Sequence, residues 1–335
     1  MTAGPTGNGL STPPPLPSRR GTWAAGLMDY LALGGVLVGL VVVFGLSTEH
    51  FLSRTTFDMI ASQVPGATIA AVGMTFVLII AGIDLSVGSV LGLSGAVLGV
   101  LMVRWGVSAW VAVPACLGAG LLCGAVNGLV TVAWRLPSFI VTLGMLEIAR
   151  GGAMIVLGSR TAYIGAPIEP IAETRLLGLP VPFVVALGVV ALGQLVLART
   201  VFGRHVVAVG SNEETARLCG VGVRRVKLAV FALCGLLAAL AGVMQVSRAA
   251  SANPNAGAGF ELDTIAAVVI GGTSLMGGRG SVVRSFFGVL IIAVLGSGLA
   301  QLGVQDPTKR LITGLVIVAA AVLDYYRRRL NRSEA

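Results

Sequence analysis

Charged side chains are scarce in this sequence, and their scarcity excludes most soluble folds. Only 11% of its 335 residues are charged, whereas 56% are hydrophobic and the mean hydropathy is +0.93. In a typical soluble domain about a quarter of the residues are charged. We therefore predict that lipid is the solvent for most of the surface and that the chain is an all-α integral membrane protein.

Residues that hold metals or phosphates are also few. The two histidines, His50 and His205, and the four cysteines show no metal-ligand spacing, so no metal site is predicted. A phosphate-cradling loop needs Gly-Lys-Ser or Gly-Lys-Thr, yet the two lysines, Lys227 and Lys309, precede Leu and Arg. We expect a subunit that is not an enzyme and binds no cofactor of its own.

The net charge of +9 fits a membrane topology better than nucleic-acid binding. The basic residues fall in short connections between apolar runs and form no basic helix face. Most of them lie in segments that ten spans place on the same side as the N-terminus. Because positive charge accumulates on the inner side of a membrane, we predict that both termini are cytoplasmic.

Apolar runs of about 20 residues recur along the chain and predict about ten transmembrane helices. The Pro-, Gly-, Ser- and Thr-rich residues 1–26 predict a disordered cytoplasmic tail. Residues 27–326 are assigned to one transmembrane domain and residues 327–335 to a basic cytoplasmic tail. The predicted spans are 27–46, 57–82, 86–103, 108–133, 138–158, 181–198, 226–247, 261–273, 283–302 and 309–325.

Two glycine-interrupted segments break the apolar pattern at similar places. Residues 81–89 and 270–281 are each followed by a new apolar run, with Gly82 matching Gly272 and Leu85 matching Leu275. Such pairs are typical of transporters built from internal repeats, so we predict an internal repeat. A separate pattern of glycines four residues apart, at 120, 124 and 128, predicts a close contact between two helices.

Three groups of polar residues could carry function. Gly82 is predicted to end a helix in the left-handed conformation and Asp84 to cap the next helix, although Asp84 could instead line a pathway or its gate. Glu147 and Arg150 share a helix face, where they would form an ion pair that locks helices or would line the pathway.

The third group lies in the connection 203–225. Ser211 or Asn212 is suited to cap a short helix, Glu213 and Glu214 suit its first turn, and Gly220 suits its end. This helix is either part of a surface loop or a docking element for a soluble partner.

Several motifs in this order resemble the ribose-type branch of ABC transporter permeases. They are residues 73–76 and 84–88, Asn127-Gly128, residues 137–144, the connection 203–225, and residues 234–242, 251–254, 259–269 and 271–275. The resemblance covers residues 74–325. It implies a permease subunit of a bacterial inner-membrane importer that translocates a small sugar such as ribose, xylose or a hexose.

The resemblance also implies partners. They are a second permease copy in a homodimer or a heterodimer, cytoplasmic ABC ATPase subunits that hold ATP and Mg²⁺, and a periplasmic-type sugar-binding protein, all assembled at a lipid membrane without nucleic acid. An alternative is an ion-coupled secondary transporter of a small polar solute, which would need buried acids such as Asp84 and Glu147.

From these considerations we predict three sets of site residues. The docking helix comprises Ser211, Asn212, Glu213, Glu214, Ala216 and Gly220, a role that the resemblance implies. Candidates for the translocation pathway or its gate are Asp84, Ser86, Asn127, Ser138, Thr142, Glu147, Arg150, Thr273 and Ser274. Candidate contacts with the binding protein are Arg160, Arg248, Asn253 and Pro254.

Overall fold

The computed structural model describes residues 19–176 and 178–333, which are mostly helical. The helices are α1 Arg19–Ser47, α2 Arg54–Ile79, α3 Val87–Gly99, α4 Ala109–Ala133, α5 Ser138–Leu157, α6 Glu169–Glu173, α7 Val181–Arg199, α8 Val201–Ser211, α9 Glu213–Leu218, α10 Val223–Ala249, α11 Phe260–Ile270, α12 Val282–Gln301 and α13 Asp306–Ser333. Helix α3 continues as a π-helical turn over Val100–Arg104. Two-residue strands pair antiparallel: β1 Ala162–Tyr163 with β4 Ser251–Ala252, and β2 Arg175–Leu176 with β3 Leu179–Pro180.

Within this described part of the chain, 8 helices are long and apolar enough to cross a membrane. They are α1 to α5, α7, α10 and α12, with the π-helical turn counted in α3, and they coincide with the first seven predicted spans and the ninth. The prediction of an all-α membrane protein is confirmed. A helical span satisfies its own backbone hydrogen bonds, which lipid cannot do.

The eighth and tenth predicted spans differ from the structure in detail. The span predicted at 261–273 contains only α11, whose 11 residues extend about 16 Å at 1.5 Å per residue. A hydrocarbon core is about 30 Å thick, so α11 alone cannot cross it. The span predicted at 309–325 falls within α13, and many of its later side chains lie outside the described residues.

The two ends of the chain are covered only in part. Helix α1 begins at Arg19, earlier than the predicted first span, so residues 19–26 of the predicted tail are helical. Residues 1–18 lie outside the described residues. Helix α13 continues to Ser333 through most of the predicted basic tail.

Helices α2 and α10 form the centre of the bundle. Helix α10 packs against α4, α2 and α3, and α2 packs also against α12 and α7. Met74 and Phe76 of α2 and Val230 and Phe231 of α10 are buried in the main apolar core. Helix α1 lies at the edge against α12.

The predicted contact between small residues joins α4 to α10. A Cβ built on Gly124 would overlap the carbonyl oxygen of Phe231, and one on Gly120 would lie 2.5 Å from the carbonyl oxygen of Gly235. The two backbones therefore touch. This confirms the prediction, because small residues let helices associate where burial of apolar surface gives little driving force.

The connection between α7 and α10 contains more helix than the sequence predicted. Its first part forms α8, which buries Val206 and Val209 and stacks Phe202 on Phe76 of α2, with ring centroids 6.4 Å apart. Its second part is the short helix α9, as predicted. We call this end of the bundle, where α10 begins at Val223, the α9 end. Helix α10 finishes at Ala249 at the opposite end.

Candidate functional site

The first loop, residues 80–86, joins α2 to α3 and is held by side chains of α5. The backbone N–H of Ile83 donates to Ser138 Oγ (2.9 Å), and that of Leu85 donates to Thr142 Oγ1 (3.0 Å). The Thr142 hydroxyl donates in turn to the carbonyl oxygen of Ile83 (3.2 Å). These bonds satisfy backbone groups that a loop inside a membrane bundle cannot leave without partners.

Asp84 is buried in this loop, with 1% of its surface exposed. Its Oδ1 accepts from the backbone N–H of Ser86 (2.9 Å) and from the Ser86 hydroxyl (2.6 Å), and the Cys234 thiol contacts the carboxyl group. Asn127 of α4 donates to Ser86 Oγ (2.9 Å). The predicted pathway residues Asp84, Ser86, Asn127, Ser138 and Thr142 therefore surround one loop.

The predicted turn chemistry is wrong in two details. Asp84 accepts from Ser86, which is itself the N-cap of α3, so the carboxylate forms a turn before the helix and does not cap its first turn. The left-handed residue is Ala81 (φ 58°) and not Gly82. The N–H of Gly82 bonds to the carbonyl oxygen of Val77 (2.9 Å) and that of Ala81 to Leu78 (2.9 Å). This is the Schellman pattern, with alanine at the position that usually holds glycine.

The second loop, residues 271–281, joins α11 to α12 and is shaped by glycines. Gly272, Gly277 and Gly278 have φ angles of 80°, 83° and 73°, a region in which glycine carries no steric penalty. Ser274 is buried, and its backbone N–H donates to the carbonyl oxygen of Arg279 (3.0 Å). The geometry of this loop therefore depends on its backbone.

Thr273 places a short chain of hydroxyl groups between α12 and α2. Its side chain is buried, with Oγ1 3.4 Å from Ser285 Oγ of α12. The Thr75 hydroxyl of α2 donates to the same Ser285 oxygen (2.8 Å). Of the two predicted residues, Thr273 therefore lies near α2 and α12, and Ser274 follows it in the second loop, whereas the other group surrounds Asp84.

The two loops meet at the end of α8. The N–H of Gly278 in the second loop donates to the carbonyl oxygen of Ile79 (2.8 Å), the last residue of α2. A Cβ on Gly210 would overlap this same oxygen and lie 2.7 Å from the Gly278 nitrogen. A Cβ on Gly278 would lie 2.7 Å from Ser211 Oγ. We call Ile79, Gly210, Ser211 and Gly278 the junction.

Sequence reasoning assigned no role to Gly210, because a single glycine in a polar connection is ordinary. The structure shows that it permits the closest approach of α8 to α2. The junction also lies directly before α9, so the predicted docking helix is covalently continuous with the point where the loops touch.

Helix α9 is capped as the sequence predicted. Asn212 Oδ1 accepts from the backbone N–H of Thr215 (2.9 Å), and Glu213 and Glu214 occupy the first turn. Gly220 follows the helix with φ 82°. Ala216 is its buried anchor, whereas Leu218 is 79% exposed. The helix therefore presents a charged surface with one exposed apolar side chain.

The charges on α9 are bonded locally and stay exposed. Glu214 pairs with Arg217 on the same helix, and Glu213 pairs with Lys227 of α10. The hydrogen bond from Arg217 to Glu214 and the charge of that carboxylate raise the pKa of the guanidinium group. Such surface pairs contribute about 0–1 kcal/mol each, so these charges are not needed to keep α9 folded.

Glu147 and Arg150 do not form the predicted ion pair. Arg150 Nη1 donates to the carbonyl oxygens of Ala256 (2.9 Å) and Pro254 (3.3 Å), because the segment after β4 lies against α3 and α5 there. Glu147 is exposed near the middle of α5. Its nearest neighbours on the same exposed stripe are apolar or small, including Leu143, Gly144 and Ile148.

The candidate contacts for a binding protein do not all lie at the surface. Arg160, Arg248 and Asn253 are exposed, whereas Pro254 is buried and its carbonyl oxygen accepts from Arg150. Asn253 Oδ1 accepts from the backbone N–H of Asn255 (2.9 Å). The prediction of Pro254 as a surface contact is therefore wrong, since its position is structural.

Two cavities flank Gln245 near the opposite end of α10. One, of about 180 Å³, is lined by residues of α3, α10, β4 and the segment after β4, including Gln245, Ser251 and Asn253. The other, of about 170 Å³, lies between α2, α10 and α11 and includes Gln63, Gln245, Arg248 and Phe260. Sequence reasoning did not identify Gln245, although a lone amide in an apolar span is a usable signal.

Comparisons with known proteins show the family. The family model described as branched-chain amino acid transport system / permease component matches residues 56–321. The ribose import permease protein RbsC of Escherichia coli is 41% identical over 312 residues, which cover 91% of this chain and 96% of that protein. The chain belongs to the family of branched-chain amino acid transport system / permease components. Other members that it resembles are the fructose import permease protein FrcC of Rhizobium meliloti and the D-allose transport system permease protein AlsC of Escherichia coli.

These two permeases are each 36% identical to this chain. The fructose permease aligns over 88% of this chain and 85% of its own length, and the allose permease over 86% and 89%. No solved structure matches the chain. The region matched by the permease component family contains both loops, the junction, α9 and both cavities.

Proposed function

We propose that this chain is the membrane-spanning permease subunit of an ATP-driven importer of a small sugar. The observation that carries the proposal is the likeness, over 91% of this chain, to a ribose import permease. The fructose and allose permeases support the broader substrate class of pentoses and hexoses. The proposal also places the chain in a bacterial inner membrane with both termini in the cytoplasm, as the distribution of basic residues predicts.

The energy would come from a partner, a cytoplasmic ABC ATPase that holds ATP and Mg²⁺. The chain has no Gly-Lys-Ser or Gly-Lys-Thr sequence for cradling phosphate. Helix α9 offers the partner a capped, exposed helix with acidic residues in its first turn and Leu218 exposed beside them. An apolar side chain of this kind gains from burial in a groove of a docked protein.

The junction offers a route from α9 into the bundle. A displacement of α9 moves Ser211 and Gly210, which contact Gly278 and Ile79 without intervening side chains. The first loop is fixed along its length by hydrogen bonds with α4 and α5, whereas the side-chain bonds of the second loop to α12 and α7 lie at its ends, so the middle of the second loop is the part that can yield. Coupling would then be a shift of the second loop against the first, driven by the difference in partner contacts between two states.

Glu147 supports a pathway beside a second copy of the chain. A carboxylate in the middle of a membrane helix is costly when it faces lipid, about 2.5 kcal/mol or more, and such groups face protein or water-filled cavities. Because two identical copies would bring like charges together, a water-filled gap between them is the arrangement that this charge favours. The exposed α5 stripe that contains Glu147 would line this gap.

A periplasmic-type sugar-binding protein would deliver the solute at the opposite end of the bundle. Arg160, Arg248 and Asn253 are exposed there and remain candidates for its contacts. Pro254 is not among them because it is buried.

The test is sugar uptake by vesicles that contain the permease with its ATPase and binding protein. We expect uptake of ribose, fructose or allose that requires ATP and stops when the ATPase is omitted. Accumulation driven by a proton or sodium gradient, without the ATPase, would instead establish the ion-coupled secondary transporter. Failure to transport any of these sugars would overturn the substrate class.

Docking has a separate test in the same system. Replacing Glu213 and Glu214 with lysine should weaken ATPase binding and uncouple ATP hydrolysis from transport while the permease stays folded. Glu173→Lys, an exposed charge reversal on α6, serves as the control. Unchanged ATPase binding by the double variant would remove α9 as the docking element.

A further inference from the structure

The two cavities at the opposite end share a wall that can bind a solute. Gln245 lines both cavities, and Gln63 and Arg248 join it in the second one. Within the described part of the chain, none of these three side chains makes a hydrogen bond or ion pair. Their donors and acceptors therefore remain available to a ligand.

The chemistry of the lining favours a neutral molecule with several hydroxyl groups. A glutamine amide offers two donors and a carbonyl oxygen with two lone pairs, so it can both give and receive hydrogen bonds from a hydroxyl group. Arg248 adds further donors at the mouth, and Phe260 adds an apolar surface for the C–H face of a ring. Ligand sites typically combine such apolar walls with a few convergent polar groups.

The same lining argues against an ion as the ligand. No aspartate or glutamate lines either cavity, and hard cations such as Ca²⁺ and Mg²⁺ favour carboxylate oxygens. An anion would find only one cationic side chain, Arg248. The cavities of about 180 and 170 Å³ also exceed what a single water needs.

The position fits the proposed direction of transport. Gln245 lies in the second-last turn of α10, far along that helix from Val223 at the α9 end. The loop that closes the first cavity contains Asn253 and Ala256, and Arg150 fixes it through the Ala256 carbonyl oxygen. A solute delivered to the opposite end would meet these side chains before the loops around the junction.

We propose that Gln63, Gln245 and Arg248 form a low-affinity site that receives the sugar at the opposite end of the bundle. This inference rests on the proposed function, because a sugar must reach that end of the permease. It gives the site a role separate from contact with the binding protein. The ligand class is a free monosaccharide.

The first experiment compares two matched amide substitutions in reconstituted permease complexes. Gln245→Leu removes the hydrogen-bonding atoms at nearly constant volume, and Gln305→Leu makes the same change at an exposed position outside both cavities. Since a ligand hydrogen bond contributes about 0.5–1.5 kcal/mol, we expect ribose uptake to fall about two- to tenfold for Gln245→Leu. Gln305→Leu should match the unmodified chain. Equal uptake by both variants would overturn the inference.

The second experiment measures occupancy directly. Ser62→Cys lines the second cavity and leaves all three site residues in place. In a Cys219→Ser background that removes the exposed native thiol, it is labelled with a hydrophilic maleimide in the absence of the binding protein. Ribose should slow labelling, betaine at equal osmolarity should not, and Gln245→Leu should abolish the protection. The same assay is repeated with fructose and allose.

The two proposals fail in different ways. If unmodified complexes transport a sugar but that sugar gives no protection at Ser62→Cys, this site is wrong and the proposed function stands. If no sugar is transported, the proposed function fails, and protection by ribose would still support the site. Labelling slowed equally by betaine would be a nonspecific effect and would contradict the site.

Discussion

The first and second loops occupy similar places between helices, yet different forces hold them. The first loop is fixed by side chains: Asp84 within it, Asn127 from α4, and Ser138 and Thr142 from α5. The second loop takes its shape from three glycines with positive φ, its backbone donates to α2 at Gly278, and its side-chain bonds to other helices lie at its ends, at Thr273 and Ser281. Side-chain hydrogen bonds hold the first loop, whereas the backbone conformation of its glycines sets the shape of the second loop.

This difference indicates which loop responds to α9. Several directional hydrogen bonds must break before the first loop can move, and each costs about 1 kcal/mol net, more if a buried group is left without a partner. The side-chain hydrogen bonds that join the second loop to α12 and α7 lie at its ends, at Thr273 and Ser281, so its middle residues can move without breaking them. Because Gly210 and Ser211 lie against the second loop at the junction, a small movement of α8 and α9 would act on the loop that we expect to yield more easily.

The largest effect is expected from Gly210→Ala, which would force the junction apart. The new Cβ would overlap the carbonyl oxygen of Ile79, and backbone cannot move aside as a flexible side chain can. Overpacking of this kind costs about 1–3 kcal/mol. We expect sugar uptake to be lost while ATP hydrolysis continues.

Gly188→Ala on α7 is the matched control, since a Cβ there meets nothing within 4 Å. Both variants are assayed in the same vesicles for uptake and for ATP hydrolysis. Normal uptake by Gly210→Ala would show that the close contact at the junction has no role in coupling.

A smaller effect is expected from replacing Asp84, which tests whether its side-chain hydrogen bonds hold the first loop. Asp84→Ala leaves the N–H and hydroxyl of Ser86 without their acceptor, so thermal unfolding in detergent should reveal a loss of about 2 kcal/mol. Asp84→Asn keeps an acceptor oxygen and should retain most of the stability. Equal stability of the two variants would contradict the claim that the hydrogen bonds of Asp84 hold the first loop.

The asparagine variant also separates the two roles that the sequence left open. Full transport by Asp84→Asn would leave only the structural role. A stable variant that does not transport would place the charge of Asp84 in the pathway or its gate.

The smallest expected effect is a difference in stability between two variants, each with one glycine of one loop replaced by alanine. Gly278→Ala must hold alanine at φ 73° and press it on Ser211, at a cost of about 1–2 kcal/mol. Gly82→Ala needs no positive φ, and its Cβ would lie 3.2 Å from the carbonyl oxygen of Val77, so we expect a smaller loss. Unfolding temperatures in one detergent give the order, and the reverse order would refute the contrast between the loops.

Much of this organisation could be predicted from the sequence because it depends on local pattern. Apolar runs located the long helices, the small residues at 120 and 124 marked the α4–α10 contact, and Asn212, Glu213 and Gly220 defined α9. Each of these features follows from residues close together in the chain.

The remaining features depend on contacts between distant segments. Arg150 bonds to carbonyl oxygens more than 100 residues away, which no helical spacing rule reveals, and so the predicted pair with Glu147 was wrong. The role of Gly210 depends on where α2 ends. Gln245 lines two cavities only because α2, α3 and α11 leave space beside it.

The most direct test of coupling is to lock α2 to α12 beside the junction. Thr75→Cys with Ser285→Cys replaces a hydroxyl pair 2.8 Å apart, and the Cys219→Ser background removes the exposed native thiol. Uptake is measured in vesicles before oxidation, after oxidation and after reduction. We predict that the disulfide stops ATP-driven sugar uptake and that reduction restores it, whereas full uptake in the oxidised state would contradict a shift of the second loop against the first.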